Sequence, residues 1–168
     1  MILGQLHHGI VVGNIERSIA WYCDGLGMEL VHRQRQENAY TPVLVGVPRA
    51  VLEVAQLKIP SPLPTVSTHD IELIEYVHSG TSGETAPVNQ PGSAHLGFLV
   101  SDIDRMYTRL TALGAAFRNP PVDISQGANA GGKACYLHDL DGNTLELIQP
   151  SPARLRSMLT LLSASALT

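Results

Sequence analysis

The chain has 168 residues, of which 44% are hydrophobic and 15% are charged, with a formal net charge of −4 and a pI near 5.9. A chain of this length and hydrophobic content can bury a core, which excludes an intrinsically disordered protein. Its Lys and Arg residues are scattered along an acidic chain, so we expect no nucleic-acid partner.

The first half of the chain predicts one strand, one helix and then three more strands. Residues 5–12 alternate in polarity as a strand does, and Asn14 is a suitable N-cap for a helix over residues 15–24. Gly25 and Gly27 provide the end of that helix. The period then returns to that of a strand, and the predicted strands cover residues 28–34, 50–59 and 70–77.

The second half predicts the same order of elements. A strand over residues 94–100 is followed by the cap residue Asp102, a helix over residues 103–113 and a stop at Gly114. A hairpin turn at residues 139–143 contains the Asp-Gly pair that is favoured in tight turns. The strands predicted after the helix cover residues 115–118, 133–138 and 144–149.

The domain organisation follows from these two series of elements. The first module covers residues 1–80, a polar linker rich in Gly and Pro covers residues 81–92, and the second module covers residues 93–150. Residues 151–168 form a C-terminal tail that we expect to be an amphipathic helix packed on the core or on a partner. Its apolar residues at helical spacing are Leu155, Met158, Leu159 and Leu162.

The two halves are also similar residue by residue. Residues 6–17 align with residues 94–105 without a gap, which superposes His7 on His95. The tetrapeptide around Glu72, Ile-Glu-Leu-Ile, recurs around Glu146 as Leu-Glu-Leu-Ile. Each half therefore begins with a His and ends with a Glu. Two His and two Glu residues are a suitable ligand set for a divalent metal ion.

The chemistry of such a ligand set follows from general principles. Two neutral imidazoles and two carboxylates balance the charge of a divalent ion and suit zinc, nickel, cobalt, manganese or ferrous iron. Four protein ligands leave an octahedral ion with two open positions for adjacent oxygens of a substrate. The ion would polarise a carbonyl there and stabilise the enediolate that forms when the neighbouring carbon loses a proton. A nearby carboxylate must accept that proton.

The sequence resembles the vicinal oxygen chelate superfamily over residues 5–150. This superfamily includes glyoxalase I, methylmalonyl-CoA epimerase, extradiol dioxygenases and bleomycin resistance proteins. The resemblance implies an α+β fold in which two tandem βαβββ modules form a cupped mixed β-sheet, with a metal ion inside the cup. It also implies a homodimer. The segments that carry it are residues 7–12 (His-His-Gly-Ile-Val-Val), 18–28 (Ser-Ile-Ala-Trp-Tyr, then Gly-Leu-Gly-Met) and 139–147 (Asp-Leu-Asp-Gly-Asn-Thr-Leu-Glu-Leu).

The same resemblance implies roles for individual residues. His7, Glu72, His95 and Glu146 would be the metal ligands, two from each module. Glu146 would also be the catalytic base, with Glu72 as its counterpart. Glu53 resembles a strand residue that serves the epimerase as a second catalytic carboxylate, and a solvated strand residue is the alternative interpretation.

Other polar residues have less specific signals. Glu75 has the wrong strand parity to share a face with Glu72. We expect the remaining histidines to be ordinary core or surface residues, namely His8, His32, His69, His78 and His138. The candidates for contact with an anionic substrate are Arg33, Arg35, Lys58 and Lys133. The candidates for a proton donor are Tyr40, Tyr107 and Tyr136.

These features favour a metal-dependent lyase or isomerase, similar to glyoxalase or epimerase, that acts on a small carbonyl substrate by proton transfer through a metal-stabilised enediolate. Val11 occupies the position where glyoxalase I commonly has an Arg that binds a glutathione carboxylate, which argues against lactoylglutathione chemistry. One alternative is a non-haem Fe(II) extradiol-type dioxygenase with two His ligands and one carboxylate. Another is a non-catalytic small-molecule-binding protein of the resistance type.

The cysteines and the N-terminus bear on the cellular compartment. Cys23 lies in a predicted helix and Cys135 in a predicted strand, without the spacing of a zinc site, and we expect both to be free thiols. The N-terminus lacks the basic start and apolar length of a signal peptide, and no apolar run approaches membrane-spanning length. We therefore expect a cytoplasmic protein without a membrane partner.

Overall fold

The computed structural model describes residues 1–2, 4–61, 67–81 and 85–165, and it divides the chain into two compact units, Met1–Glu84 and Thr85–Thr168. The boundary between these units falls inside the predicted linker, residues 81–92. Among the helices that the structure describes, none has the length and apolar character needed to cross a membrane.

The described part of the first unit is a four-stranded mixed sheet with two helices. In chain order its elements are β1 (His8–Val11), α1 (Ile15–Leu26), β2 (Glu29–Gln36), α2 (Thr41–Val45), β3 (Leu52–Lys58) and β4 (Ile71–Tyr76). The strand order is β1-β4-β3-β2. β1 is parallel to β4, whereas β4 and β3, and β3 and β2, are antiparallel.

The described part of the second unit has the same plan. Its elements are β5 (Leu96–Leu99), α3 (Ile103–Ala112), β6 (Ala116–Phe117), β7 (Val122–Asp123), β8 (Lys133–His138), β9 (Thr144–Gln149) and α4 (Pro152–Ser165). The strand order is β5-β9-β8-β6, and β7 also pairs with β8. β5 is parallel to β9, as β1 is to β4.

The predicted α+β fold class with two βαβββ modules is confirmed. β1 is shorter than predicted because only His8–Val11 pair with β4. Two short elements, α2 and β7, were not predicted, since neither is long enough to show a period. Before α2, Asn38 Oδ1 accepts hydrogen bonds at 3.0 Å from both the backbone N–H and the hydroxyl of Thr41.

The C-terminal tail contains α4, which begins at Pro152. Leu155 and Met158 on this helix are half-buried, whereas the exposed fraction of Leu159 is 48%. Leu162, the fourth residue of the predicted apolar face, lies outside the part of the chain whose side chains are described.

Both long helices of the modules begin where the sequence predicts. Asn14 Oδ1 accepts a hydrogen bond from the Arg17 N–H at 2.9 Å, and Asp102 Oδ1 accepts one from the Arg105 N–H at 3.0 Å. Side-chain oxygens of this kind satisfy backbone donors that have no partner inside the first helical turn. Gly27 ends α1 with a φ of 75°, a conformation that favours glycine.

A second hydrogen bond ties each helix to the last strand of its own module. Glu75 Oε2 accepts from the Ile15 N–H at 2.7 Å, and Gln149 Oε1 accepts from the Ile103 N–H at 2.7 Å. The side of each sheet that carries these residues is called the helix face below. Side chains alternate along a strand. Glu72 is three residues before Glu75 and Glu146 is three residues before Gln149, so these two carboxylates point to the opposite side.

That opposite side, called the carboxylate face, carries Glu72 in the first module and Glu146 in the second. The helix faces are the main hydrophobic core of each module, because Leu73 and Leu147 have exposed fractions of 0%. On the carboxylate faces, by contrast, the exposed fractions are 56% for Val11 and 52% for Leu99. Each module therefore has an apolar helix face and a partly open carboxylate face that bears an acid, although Leu52 and Val54 on the carboxylate face of the first module are buried beside Val45 and Val47.

Candidate metal centre

The first module brings His7 and Glu72 together. Gly9 on β1 lies beside Glu72 on β4, and His7 is two residues before Gly9, so all three share the carboxylate face. His7 Nε2 lies 3.7 Å from Glu72 Oε2, and the exposed fractions of the two side chains are 29% and 16%. Two ligands that are each about 2.1 Å from one ion are separated by roughly 3.0–3.5 Å, so this pair is close to a chelating geometry.

The second module repeats this arrangement with His95 and Glu146. Gly97 on β5 lies beside Glu146 on β9, the same register as in the first module. His95 Nε2 lies 3.3 Å from Glu146 Oε2, with exposed side-chain fractions of 46% and 17%. The repeat found in the sequence thus corresponds to a repeated His–Glu pair, one in each module.

His69, which the sequence predicts to be an ordinary core or surface residue, lies with the first pair. His7, His69 and Glu72 each offer one ligand atom, and these atoms are within 4.8 Å of one another. His69 Nε2 is 3.0 Å from His7 Nδ1, and the two rings stack with their centroids 5.0 Å apart. The pKa of His69 is lowered, first by its burial and then by the neighbouring His7.

The internal repeat could not reveal His69. The spacing that aligns Glu72 with Glu146 aligns His69 with Asn143, which stabilises the hairpin turn by donating from Nδ2 to Asp139 Oδ2 at 2.9 Å. The one available signal was its position three residues before Glu72, at the point where the chain enters β4.

The two carboxylates have different neighbours on the adjacent strand. Gln56 is opposite Glu72, and its Nε2 donates a hydrogen bond to Glu72 Oε1 at 3.1 Å. Tyr136 is opposite Glu146, but its hydroxyl lies 3.4 Å from His95 Nε2. Burial, and secondly the charge of Glu146, raise the pKa of Tyr136. The Tyr136 phenol therefore stays protonated at neutral pH and can donate a hydrogen bond.

The structure does not bring Glu53 to these residues. Glu53 is paired in the ladder with Glu75, which places it on the helix face, opposite to the face that carries Glu72. Its Oε1 accepts a charge-assisted hydrogen bond from Arg35 Nη1 at 2.8 Å. Glu53 is thus part of a cross-strand ion pair, and we leave it out of the proposed catalytic site.

Three of the predicted cations are also engaged elsewhere. Arg33 bonds to Glu16 on α1 at 2.6 Å, and Lys133 bonds to Asp104 on α3 at 2.7 Å. Arg35 is held by Glu53 and by Glu37, the latter at 2.9 Å. These ion pairs lie away from the carboxylate faces, so the three cations are poorly placed to bind an anionic substrate beside Glu72 or Glu146. Glu16, Glu37 and Asp104 are exposed acids, so the pairs that they form add little to stability.

The donor atoms of each pair are of the kinds that a divalent ion accepts. Each pair combines one imidazole nitrogen with one carboxylate oxygen, and all four side chains retain some exposure. Borderline nitrogen and hard oxygen donors are the set that zinc, nickel, cobalt, manganese and ferrous iron accept.

The thiol of Cys135 lies next to this site in sequence and is expected to be unreactive. Both cysteines are free, as predicted. Burial, followed by the charges of Glu146 and Asp104, raises the pKa of Cys135 to about 11, and burial also raises the pKa of Cys23. The thiolate is the nucleophile, so at pH 8 the native protein should react with a disulfide reagent mainly at the less buried Cys23.

A thiol titration checks this expectation. The disulfide reagent dithiobis(nitrobenzoate) releases one thionitrobenzoate for each thiol that reacts. The native chain should release at most one equivalent rapidly, whereas the denatured chain should release two, one for each cysteine. The variant Cys23→Ser is the matched control, because its native form should hardly react. Rapid labelling of Cys135 in that variant would contradict the buried position of this strand.

Comparison with solved structures identifies chains of similar architecture. A glyoxalase family protein from Bacillus cereus is 25% identical, with a TM-score of 0.75 over 90% of this chain and 96% of that chain. Glyoxalase I from Zea mays is 19% identical, with a TM-score of 0.58 over 87% of this chain and 44% of its own length. The fosfomycin resistance protein FosX from Listeria monocytogenes is 17% identical, with a TM-score of 0.58 over 92% of this chain and 98% of that chain.

A comparison with curated proteins gives no match. A scan against family models gives one that covers residues 4–147, described as the Glyoxalase/Bleomycin resistance protein/Dioxygenase superfamily. This match includes both His–Glu pairs. It covers both modules up to residue 147, within β9. The chain therefore belongs to the Glyoxalase/Bleomycin resistance protein/Dioxygenase superfamily, the vicinal oxygen chelate superfamily that its sequence resembles.

Proposed function

We propose that this protein is a metal-dependent lyase or isomerase that moves a proton at the carbon next to a carbonyl group of a small substrate. The observation that carries the proposal is the repeated His–Glu pair, found at the same register position in both modules. In both modules the His and the Glu are within 3.7 Å of each other and remain partly exposed on the carboxylate face. Membership of the superfamily supports the proposal but leaves the reaction open.

The proposed metal ligands are His7 and Glu72 from the first module and His95 and Glu146 from the second. The strands preorganise each pair. In each module a Gly lies beside the Glu in the ladder, and the His is two residues before that Gly. A divalent ion bound there supplies Lewis-acid polarisation of a substrate carbonyl. The protein residues then have to orient the substrate and handle the proton.

We assign the proton transfer to Glu146 rather than to Glu72. Gln56 holds Glu72 by a hydrogen bond to Oε1, which keeps that carboxylate in place. Tyr136 stands at the equivalent position in the second module, but its hydroxyl contacts His95. At the position equivalent to Gln56, Glu146 thus faces a phenol and not an amide donor, so it is freer to change from ligand to proton acceptor. The protonated Tyr136 beside it is suited to return a proton.

The proposal is tested by metal analysis combined with a proton-exchange assay. Anaerobically purified protein should contain about one zinc, nickel, cobalt or manganese ion per chain. It should also exchange the α-proton of at least one compound in a panel of α-hydroxyketones and acyl thioesters in D₂O, followed by ¹H NMR. The metal-free protein, prepared with a chelator, is the control and should not exchange.

Other outcomes of this experiment identify the alternatives. Ferrous iron together with oxygen consumption on catechols would indicate an extradiol-type dioxygenase. Protein that binds no metal even after reconstitution, yet binds small apolar compounds, would indicate a non-catalytic protein of the resistance type. Each result would overturn the proton-transfer proposal.

We further propose that the protein is a cytoplasmic homodimer. The support is the free state of both cysteines, which suits a reducing compartment, together with the common occurrence of dimers in this superfamily. Light scattering coupled to size-exclusion chromatography measures the mass in solution. A mass near that of one 18.0 kDa chain would contradict the dimer.

A further inference from the structure

We propose that His69 is a positioning residue that accepts a hydrogen bond from His7 Nδ1 and thereby directs His7 Nε2 toward the metal ion. The inference rests on the proposed metal centre and deepens it, since it assigns a role to a residue outside the four proposed ligands. His69 contacts His7 and is nearly covered, with an exposed fraction of 7%.

The two ring nitrogens of His7 contact different residues. Nε2 faces Glu72 Oε2 at 3.7 Å, and Nδ1 faces His69 Nε2 at 3.0 Å. A neutral imidazole has one N–H, and the nitrogen that binds a metal must be the other one. If Nε2 is the ligand, Nδ1 carries the proton and donates it to His69 Nε2. This tautomer is the one that the metal centre requires.

His69 can accept this bond because its other nitrogen also has partners. Its Nδ1 lies 3.4 Å from the Thr68 hydroxyl and 3.5 Å from the Ser67 hydroxyl. With Nε2 as the acceptor, His69 Nδ1 carries a proton that these hydroxyl oxygens can receive. The hydrogen bonds thus form a chain from the loop before β4 through His69 to His7.

The backbone around His69 is held on both sides by strands. The Asp70 N–H donates to the Leu57 carbonyl at 2.9 Å, and the His8 N–H donates to the Asp70 carbonyl at 3.0 Å. Asp70 Oδ2 also accepts from the Ile59 N–H at 2.8 Å. Because the residue after His69 is bonded to both β1 and β3, the imidazole is presented to His7 by a fixed backbone.

Direct metal ligation by His69 is the competing interpretation. The ligand atoms of His7, His69 and Glu72 are close enough to surround one ion. However, His69 faces Nδ1 of His7 and Glu72 faces Nε2, and the two nitrogens of one imidazole point away from each other across the ring. His69 and Glu72 thus approach different nitrogens of His7, His69 at a hydrogen-bonding distance of 3.0 Å and Glu72 at 3.7 Å, and this division favours a hydrogen-bond partner over a third ligand.

The experiment compares two substitutions of His69 in the full chain. His69→Leu removes the acceptor at similar bulk, whereas His69→Gln keeps a carbonyl oxygen that can accept from His7 Nδ1. The exposed His78→Leu is the matched control for loss of a histidine. Zinc affinity is measured by competition with a chromophoric chelator, and the tautomer of the His7 ring is determined in metal-free protein by long-range ¹H–¹⁵N NMR.

We expect His69→Leu to weaken zinc binding about 10–100-fold, the range found for partners of metal-bound histidines, and His69→Gln to restore most of it. In the metal-free wild type, the His7 spectrum should show the Nδ1–H tautomer, and His69→Leu should lose this preference. Unchanged zinc affinity in His69→Leu would overturn the proposal. So would loss of stoichiometric zinc in both variants, because that result identifies His69 as a ligand.

The two readouts separate this inference from the proposed function. If the wild type binds no zinc, the metal centre is wrong, while the tautomer of His7 still reports whether His69 accepts its proton. An Nε2–H tautomer in the metal-free wild type would overturn the inference even if zinc binds tightly. If His69→Leu does not fold, the wild-type spectrum and the His69→Gln affinity are sufficient to decide.

Discussion

Replacement of Glu146 by Gln is expected to lower the rate of α-proton exchange by about 10²–10⁴-fold, the usual contribution of a positioned general base. The substitution keeps the size of the side chain and one oxygen that can bind a metal, but the amide cannot accept a proton at neutral pH. Because the Glu146 side chain is 17% exposed and is not part of the apolar core, the fold should be unaffected.

The corresponding variant of the first module is the matched control. Glu72→Gln makes the same chemical change at the same register position, next to a residue that already holds Glu72 Oε1. We expect a smaller loss of exchange for Glu72→Gln than for Glu146→Gln, and weaker metal binding as its main effect. Exchange near the wild-type rate in Glu146→Gln, or a larger loss in Glu72→Gln, would contradict the assignment of the base.

The assay and its controls are chosen to separate chemistry from binding. Exchange in D₂O is measured at saturating metal, so a lower affinity for the ion does not lower the rate. Circular dichroism and the melting temperature of each variant show whether the fold is retained. A normal fold with normal metal content and lost exchange is the expected combination for Glu146→Gln.

Removal of either ligand histidine is expected to abolish stoichiometric metal binding. His7→Ala and His95→Ala should each weaken zinc affinity more than about 100-fold, beyond the range for residues that only support a ligand. The reason is that each variant removes one of the four proposed donors. Elemental analysis after dialysis against a weak chelator measures the metal that remains.

His8, the next residue after His7, provides the control for the two histidine variants. His8 is beside Ile71 in the ladder, so it points to the helix face and not to Glu72. His8→Ala should therefore keep the metal. If His95→Ala also keeps a full equivalent, the site belongs to the first module alone, with His7, His69 and Glu72 as its ligands.

Thermal stability gives a second readout of the same variants. A ligand that binds only the folded state stabilises it by about 4 kcal/mol at a free concentration 1,000 times its Kd. Added zinc should thus raise the melting temperature of the wild type and of His8→Ala, but not of His7→Ala or His95→Ala. A zinc-induced shift of the same size in all four proteins would indicate binding elsewhere on the chain.

The amino-acid sequence by itself determined the order of the elements other than α2 and β7, and it indicated the two acid–histidine pairs. The helix caps Asn14 and Asp102 act within one turn of chain, and strand alternation acts over neighbouring residues, so both are local and visible in a sequence. The parity argument that separates Glu75 from Glu72 is of the same kind, and Glu75 indeed bonds to the N-terminus of α1. The internal repeat also indicated which distant His and Glu residues lie together, because two modules with the same fold place equivalent residues at equivalent positions.

The sequence could not determine which way the polar side chains of β2 point. The pairing of β2 with β3 shifts by one residue between Leu30 and His32. This bulge reverses the alternation, so that Arg33 and Arg35 reach the helix face, where they meet Glu16 and Glu53. An alternation counted from Leu30 along the sequence gives the opposite face for both arginines.

The tertiary structure alone decided which residues surround the ligand pairs. His69 lies 62 residues from His7 in the chain and reaches it only because β4 is paired with β1. Glu53 resembles a catalytic carboxylate in its local sequence, but its ladder partners Arg35 and Glu75 place it on the other side of the sheet. Strand order and register depend on contacts across the whole module, whereas caps, turns and alternation depend on a few neighbouring residues, and this difference divides what the sequence could predict here from what it could not.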